Sequence, residues 1–122
     1  MLWRWAAPLL WAGFLFAASS VPGAQLPSGG IPHLDKALHA IAYALLAWLV
    51  ARAGRATTRG ALALAAAAAV LYGVSDELHQ RFTPGRDADV WDLVADAVGA
   101  VAGVWLRARA RGYRYLQTRA KP

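Results

Sequence analysis

Gly60–Ser75 reads GALALAAAAAVLYGVS, sixteen residues without one charged side chain. A helix on the surface of a soluble protein shows a polar stripe along its length. This one has no charge on any face, which points to a helix inside a membrane. Three further stretches share the pattern: Trp5–Ser19, Ala37–Ala51 and Leu93–Leu106. Each falls a little short of the ~20 residues that cross a hydrocarbon core. Flanking residues lengthen them, and Lys36 and Arg52 can snorkel at the ends of the second. The expectation is an all-α integral membrane four-helix bundle, one domain over residues 1–122, with helices at about 2–19, 36–53, 60–79 and 89–107 and a basic tail at 108–122. A signal peptide at the start, or a soluble alanine-rich bundle, are the competing readings.

Hydrophobic residues make up 58% of the 122-residue chain and charged ones 16%. That composition excludes a disordered chain, and the absence of cysteine excludes disulfides and thiolate chemistry. The net charge is +6. Its distribution is that of a topology signal, not of a nucleic-acid surface. Arg4, the group Arg52, Arg55 and Arg59, and the tail from Arg107 to Lys121 alternate with the apolar stretches. With four spans they fall on one side, which the positive-inside rule makes cytoplasmic. Both termini are then cytoplasmic, in a multi-pass protein. All seven acids lie in the other segments, with Lys36, Arg81 and Arg86.

Helical spacing gathers polar groups at that other end. Asp35, His39 and Tyr43 are spaced i, i+4, i+8. Tyr72, Asp76 and His79 or Gln80 share a face, while Glu77 points elsewhere, toward Arg81 at i+4. Asp35 is a fair N-cap for the second helix, and Asp89 caps the fourth. Asp89, Asp92, Asp96, Gly99 and Gly103 then run at spacings 3, 4, 3, 4. Asp96 sits seven residues past that cap, ~10 Å into the helix. Ionisable groups at such depth face a bundle interior or a water-filled cavity. Three readings are open: a hydrogen-bonded network that locks the helices, a binding or catalytic cavity for a polar headgroup, and an ion or proton path. Gly99-x-x-x-Gly103 allows close helix approach, including a homodimer.

The segments Asp35-Lys36-x-x-His39-x-x-x-Tyr43, Asp76-Glu77-x-His79-Gln80-x-Phe82-x-Pro84-Gly85-Arg86 and Asp92-x-x-x-Asp96-x-x-Gly99-x-x-x-Gly103 are three ordered motifs. Together with Ser19-Ser20 and Pro22-Gly23 they resemble the VanZ-like membrane proteins. The resemblance runs from Ser19 to Gly103. It implies a small four-helix protein of the bacterial cytoplasmic membrane and a link to low-level resistance to teicoplanin, a glycopeptide that targets lipid-linked cell-wall precursors. It implies no particular reaction. Asp96 departs from the pattern, standing where many relatives carry Asn.

Two functional expectations follow. In the first, a membrane-embedded hydrolase or transferase acts on a membrane lipid or lipid-linked cell-wall precursor. His39 or His79 would be its acid or base, oriented by Asp35 or Asp76. Arg86 and Lys36 would hold an anionic group, with Tyr43, Glu77, Gln80, Asp92 and Asp96 lining the site. A divalent cation on His39, His79, Asp76 and Asp92 is compatible with these ligand types. No cofactor motif is present. In the second expectation the same residues bind without chemistry, or only hold the helices together.

Overall fold

A computed structural model describes residues 2–23 and 33–119, with side chains given as far as residue 112. The regular elements among the described residues are all helices, with no strand among them. A 3-10 turn, Leu2–Trp5, leads into α1 (Ala6–Ser19). Then come α2 (Leu34–Ala53), α3 (Arg59–Gln80) and α4 (Val90–Arg119).

Local chemistry sets these boundaries. Thr58 caps α3, its hydroxyl accepting from the Ala61 N–H at 3.1 Å. The alanine run that follows is the strongest helix-forming composition available. α3 stops before Thr83-Pro84-Gly85, where Gly85 turns the chain at φ 71°. Asp89 starts α4 by accepting from the Trp91 N–H at 2.9 Å, as expected. Asp35 does not cap α2. That helix begins one residue earlier, at Leu34, and Asp35 lies in its first turn. α4 also runs on through the basic residues to Arg119, so much of the expected tail is helix.

Helices consecutive in the chain run antiparallel, so α2 and α4 lie parallel, with Gly99 on Ala40 and Gly103 on Ala44. The C-terminal ends of α1 and α3 meet the N-terminal ends of α2 and α4 at an acidic end. The reverse ends form a basic end. The closest pair is α2 and α4, and glycine makes it so. A Cβ on Gly99 would stand 2.0 Å from the Ala40 carbonyl oxygen, and one on Gly103 2.1 Å from that of Ala44. The glycine step therefore serves packing within the chain. A dimer through Gly99 and Gly103 would have to displace α2.

The interior is small and partly polar. Leu15, Leu46, Ala47, Ala66, Ala69 and Ala100 pack around Tyr43. The largest fully buried side chains are Tyr43 and Asp96, each 1% exposed. Large apolar side chains lie outside instead: Leu9, Leu10, Phe14, Ile41, Leu64, Leu71, Val98 and Val101 are all exposed. A water-soluble bundle buries such residues and exposes its acids; here the two are exchanged. α2 and α3 are each long and apolar enough to cross a membrane.

Candidate functional site

Lys36, in the first turn of α2, is the hub of the acidic end. Its ammonium lies 2.5 Å from Asp89, 2.6 Å from Asp92 and 2.9 Å from Asp35. The Asp89 carboxyl, outside the helices, is held below the usual carboxylate range chiefly by that hydrogen bond from Lys36. Asp35 sits at the rim, 61% exposed at its side chain. It contacts Lys36, so it does not orient His39.

One turn deeper, His39 bonds through Nδ1 to Asp96 Oδ1 at 2.9 Å. Its Nε2 faces Asp92 Oδ2 at 3.8 Å, beyond hydrogen-bond reach. Below it, Tyr43 donates to Asp76 Oδ2 at 3.4 Å, and Gln80 donates to the same oxygen at 3.4 Å. Gly73 makes room for this layer: a Cβ there would lie 2.8 Å from Asp96 Oδ2 and 3.2 Å from the Tyr43 ring.

Two expectations need correction. Glu77 does not turn away toward Arg81. It is buried, and its Oε2 accepts the backbone N–H of Asp89 at 2.9 Å. His79 does not join the cluster. It bonds to the Ser20 hydroxyl at 2.9 Å and stacks on Phe16 of α1, with ring centroids 4.5 Å apart. Arg86 is engaged at the end of α1. It donates from Nε to the Val21 carbonyl at 3.2 Å and from Nη2 to that of Ala18 at 3.0 Å.

Much of the second motif therefore braces α1. Arg86 gives a partner to the Val21 carbonyl just past that helix and a further donor to the Ala18 carbonyl, which also accepts the Val21 N–H at 3.3 Å. The Thr83 hydroxyl donates to Ser19 O, and Gly23 N–H to Pro84 O. A Cβ on Gly23 would strike the Gly85 carbonyl, so the two glycines meet backbone to backbone. Trp11 donates to Ala42 O at 2.9 Å and Tyr72 to Ala12 O at 2.6 Å, fixing α1 on α2 and α3.

Between α1 and α2 lies a cleft of about 380 Å³. Trp11, Phe14, Leu15, Leu38 and Ile41 form its apolar wall, and His39, Tyr43, Asp76, Gln80 and Arg86 bring polar groups to it. The proposed His39–His79–Asp76–Asp92 cation set is not assembled, because His79 lies against α1. His39, Glu77 and Asp92 are brought together in its place, each offering one ligand atom within 4.8 Å of the others.

No curated protein matches the sequence, and no solved structure does. Residues 4–111 match the VanZ/LLP1 family, a span that takes in α1, α2, α3 and the acidic cluster. The three motifs that mark the resemblance are those that build the Lys36 hub, the α1 brace and the α2–α4 contact, and the chain belongs to the VanZ/LLP1 family.

Proposed function

We propose that this chain is a four-span protein of the bacterial cytoplasmic membrane, with both termini in the cytoplasm, whose α1–α2 cleft binds one envelope lipid. The observation that carries this reading is the cleft's own polarity. Its wall is apolar along Phe14, Leu15, Leu38 and Ile41, and His39, Gln80 and Arg86 add polar contacts. An amphiphile matches both parts: a chain against the wall and a headgroup at the polar groups. Arg86 uses two of its five N–H donors on the Ala18 and Val21 carbonyls at the end of α1 and just past it, and still lines the cleft. It is the residue best suited to an anionic headgroup or a lipid-linked precursor.

The exposed apolar belt supports a membrane setting, and so does the placement of arginines opposite the acids. Topology has a direct test, because the chain lacks cysteine. In intact cells a membrane-impermeant maleimide should label a cysteine at Asp87 and leave one at Arg55 unlabelled. The reverse pattern would refute cytoplasmic termini.

Lipid binding is tested by native mass spectrometry of the protein extracted with its lipids. One lipid adduct per chain is expected, and it should be lost when Ala42→Phe fills the cleft. Teicoplanin sensitivity of cells carrying His39→Ala, Asp76→Ala and His79→Ala then separates two roles. Under the cleft reading the first two alter the phenotype and His79→Ala, beside α1, does so weakly. If all three behave as wild type, the polar cluster is a brace only. That second reading draws on the Arg86 and Thr83 contacts to α1.

A further inference from the structure

We propose that His39, Glu77 and Asp92, one residue from each of α2, α3 and α4, form a binding site for one divalent transition-metal ion. Their ligand atoms lie within 4.8 Å of one another. An ion at the centre of a triangle with that largest side is ~2.8 Å or less from each donor. Shifts of at most about 0.6–0.8 Å then reach the ~2.0–2.2 Å of Zn–N and Zn–O bonds.

Each side chain is already held with one atom facing the site. Glu77 is 8% exposed, and with Oε2 engaged by the Asp89 N–H its Oε1 has no hydrogen-bond partner. A buried carboxylate oxygen left in this state calls for a cation or a proton donor. Asp92 is divided in the same way. Oδ1 meets Lys36 at 2.6 Å, and Oδ2 faces His39 Nε2 at 3.8 Å. That separation is long for a hydrogen bond and suits two ligands sharing one ion.

His39 completes the arrangement. With Asp96 ionised and the imidazole neutral, the 2.9 Å contact puts the imidazole proton on Nδ1 and leaves the Nε2 lone pair facing Asp92 Oδ2. A carboxylate behind a ligating histidine is the recurrent outer partner of metal sites. Charge points the same way. Asp76, Glu77, Asp92 and Asp96 are all buried, and the recorded basic partners of this group among the described residues are Lys36 and His39. Lys36 is shared with Asp35 and Asp89 as well. A divalent ion supplies the missing positive charge where desolvated acids need it most. One imidazole with two carboxylates suits Zn, Mn or Fe. Three protein ligands leave coordination positions for water or a headgroup oxygen. The site stands on these side chains alone, whether or not a lipid fills the neighbouring cleft.

The test uses the full chain in detergent, stripped with chelator and titrated with Zn²⁺ alone. Saturable binding of one ion per chain is expected. Glu77→Gln and Asp92→Asn should each weaken it by more than the ~10–100-fold typical of losing an outer partner. Asp35→Asn, at the exposed rim, should leave it unchanged. Asp96 is a positioning residue. Asp96→Asn keeps the acceptor for Nδ1 and should keep most of the affinity, whereas Asp96→Leu should lose it. Because acid variants can fail to fold, Co²⁺ binding to a monodisperse His33→Ala/His79→Ala chain gives a second reading. There His39 is the sole histidine, and the visible Co²⁺ absorption should persist. A wild-type chain that takes up no ion overturns the site. So does Zn²⁺ binding that Glu77→Gln and Asp92→Asn both leave intact, or Co²⁺ absorption that vanishes with His33 and His79.

Discussion

At the acidic end of the bundle, charge is buried and directional: Lys36 meets three carboxylates and His39 bonds to Asp96. At the basic end, charge lies against flat apolar rings. Arg109 sits 4.4 Å from the Trp105 ring centroid, and Arg52 and Arg107 lie 5.8 and 6.0 Å from that of Trp48. The first arrangement fixes atoms in place, because every partner must be satisfied away from water. The second tolerates movement, since a cation attracted to a ring face keeps its head near solvent. The difference separates two duties. Under the proposed topology the basic end orients the protein, and the acidic end is built to hold a defined geometry. Each prediction below would break or sharpen that contrast.

Lys36→Met should have the largest effect. Breaking a buried ion pair costs ~3–5 kcal/mol, because the remaining charge is stranded. The Lys36 and Asp92 side chains are 25% and 12% exposed, so solvent softens the loss to about 2–4 kcal/mol. Unfolding in mixed micelles followed by circular dichroism measures it. Adding Asp92→Asn should restore a good part of the stability, because it removes the stranded charge. A double variant no better than Lys36→Met would mean that Lys36 acts through packing.

Gly99→Ala and Gly103→Ala should each cost about 1–3 kcal/mol by overpacking. Both new methyls would run into α2 backbone, which cannot rotate aside as a side chain can. Their consequences should differ along the bundle. Gly99 lies one turn beyond Asp96, so its variant should also weaken the acidic cluster and any ion held there. Gly103 lies a further turn toward the basic end and should spare it. Equal loss at both positions would show that the cluster follows global stability.

Arg86→Leu should cost less, about 1–2 kcal/mol. It removes hydrogen bonds from a half-buried guanidinium to the Ala18 carbonyl of α1 and the Val21 carbonyl just past it. The end of α1 should loosen, read as faster maleimide labelling of a cysteine at Ser20, while a cysteine at Arg55 labels as before.

Periodicity carried the main features and missed those set by non-local pairing. The uncharged stretch at Gly60–Ser75 announced an apolar helix, and the 3, 4, 3, 4 spacing from Asp89 to Gly103 announced one face of α4. Burial of Asp92, Asp96 and Ala100 and the Gly99 and Gly103 contacts agree with that face. A face of α3 referenced to Tyr72 leaves Glu77 on the wrong side. Tyr72 reaches sideways to Ala12 of α1. Referenced to Gly73, the series Gly73, Asp76, Glu77, Gln80 follows i, i+3, i+4, i+7, and all four are buried. That signal was present in the sequence. The placements of His79 and Arg86 were not, because they depend on how the segment after α1 meets the Thr83–Arg86 turn, a contact between residues some sixty apart. Nor could spacing reveal that Lys36 would gather acids from two segments.

Arg52→Ala should have the smallest effect on stability. A cation at an exposed ring face contributes ~0.5–1 kcal/mol, and Arg107 lies over the same Trp48 ring and can retain part of the contact. Unfolding should therefore shift by less than about 0.5 kcal/mol, within the usual range for a surface substitution. Orientation should hold as well, because Arg55, Arg59 and the arginines of α4 keep the charge excess on that side. Replacing Arg52, Arg55 and Arg59 together should leave stability nearly unchanged while exposing a cysteine at Thr57 to external maleimide in some of the molecules. A triple variant destabilised as strongly as Lys36→Met would erase the contrast, because the basic end would then be holding the fold as well as orienting it.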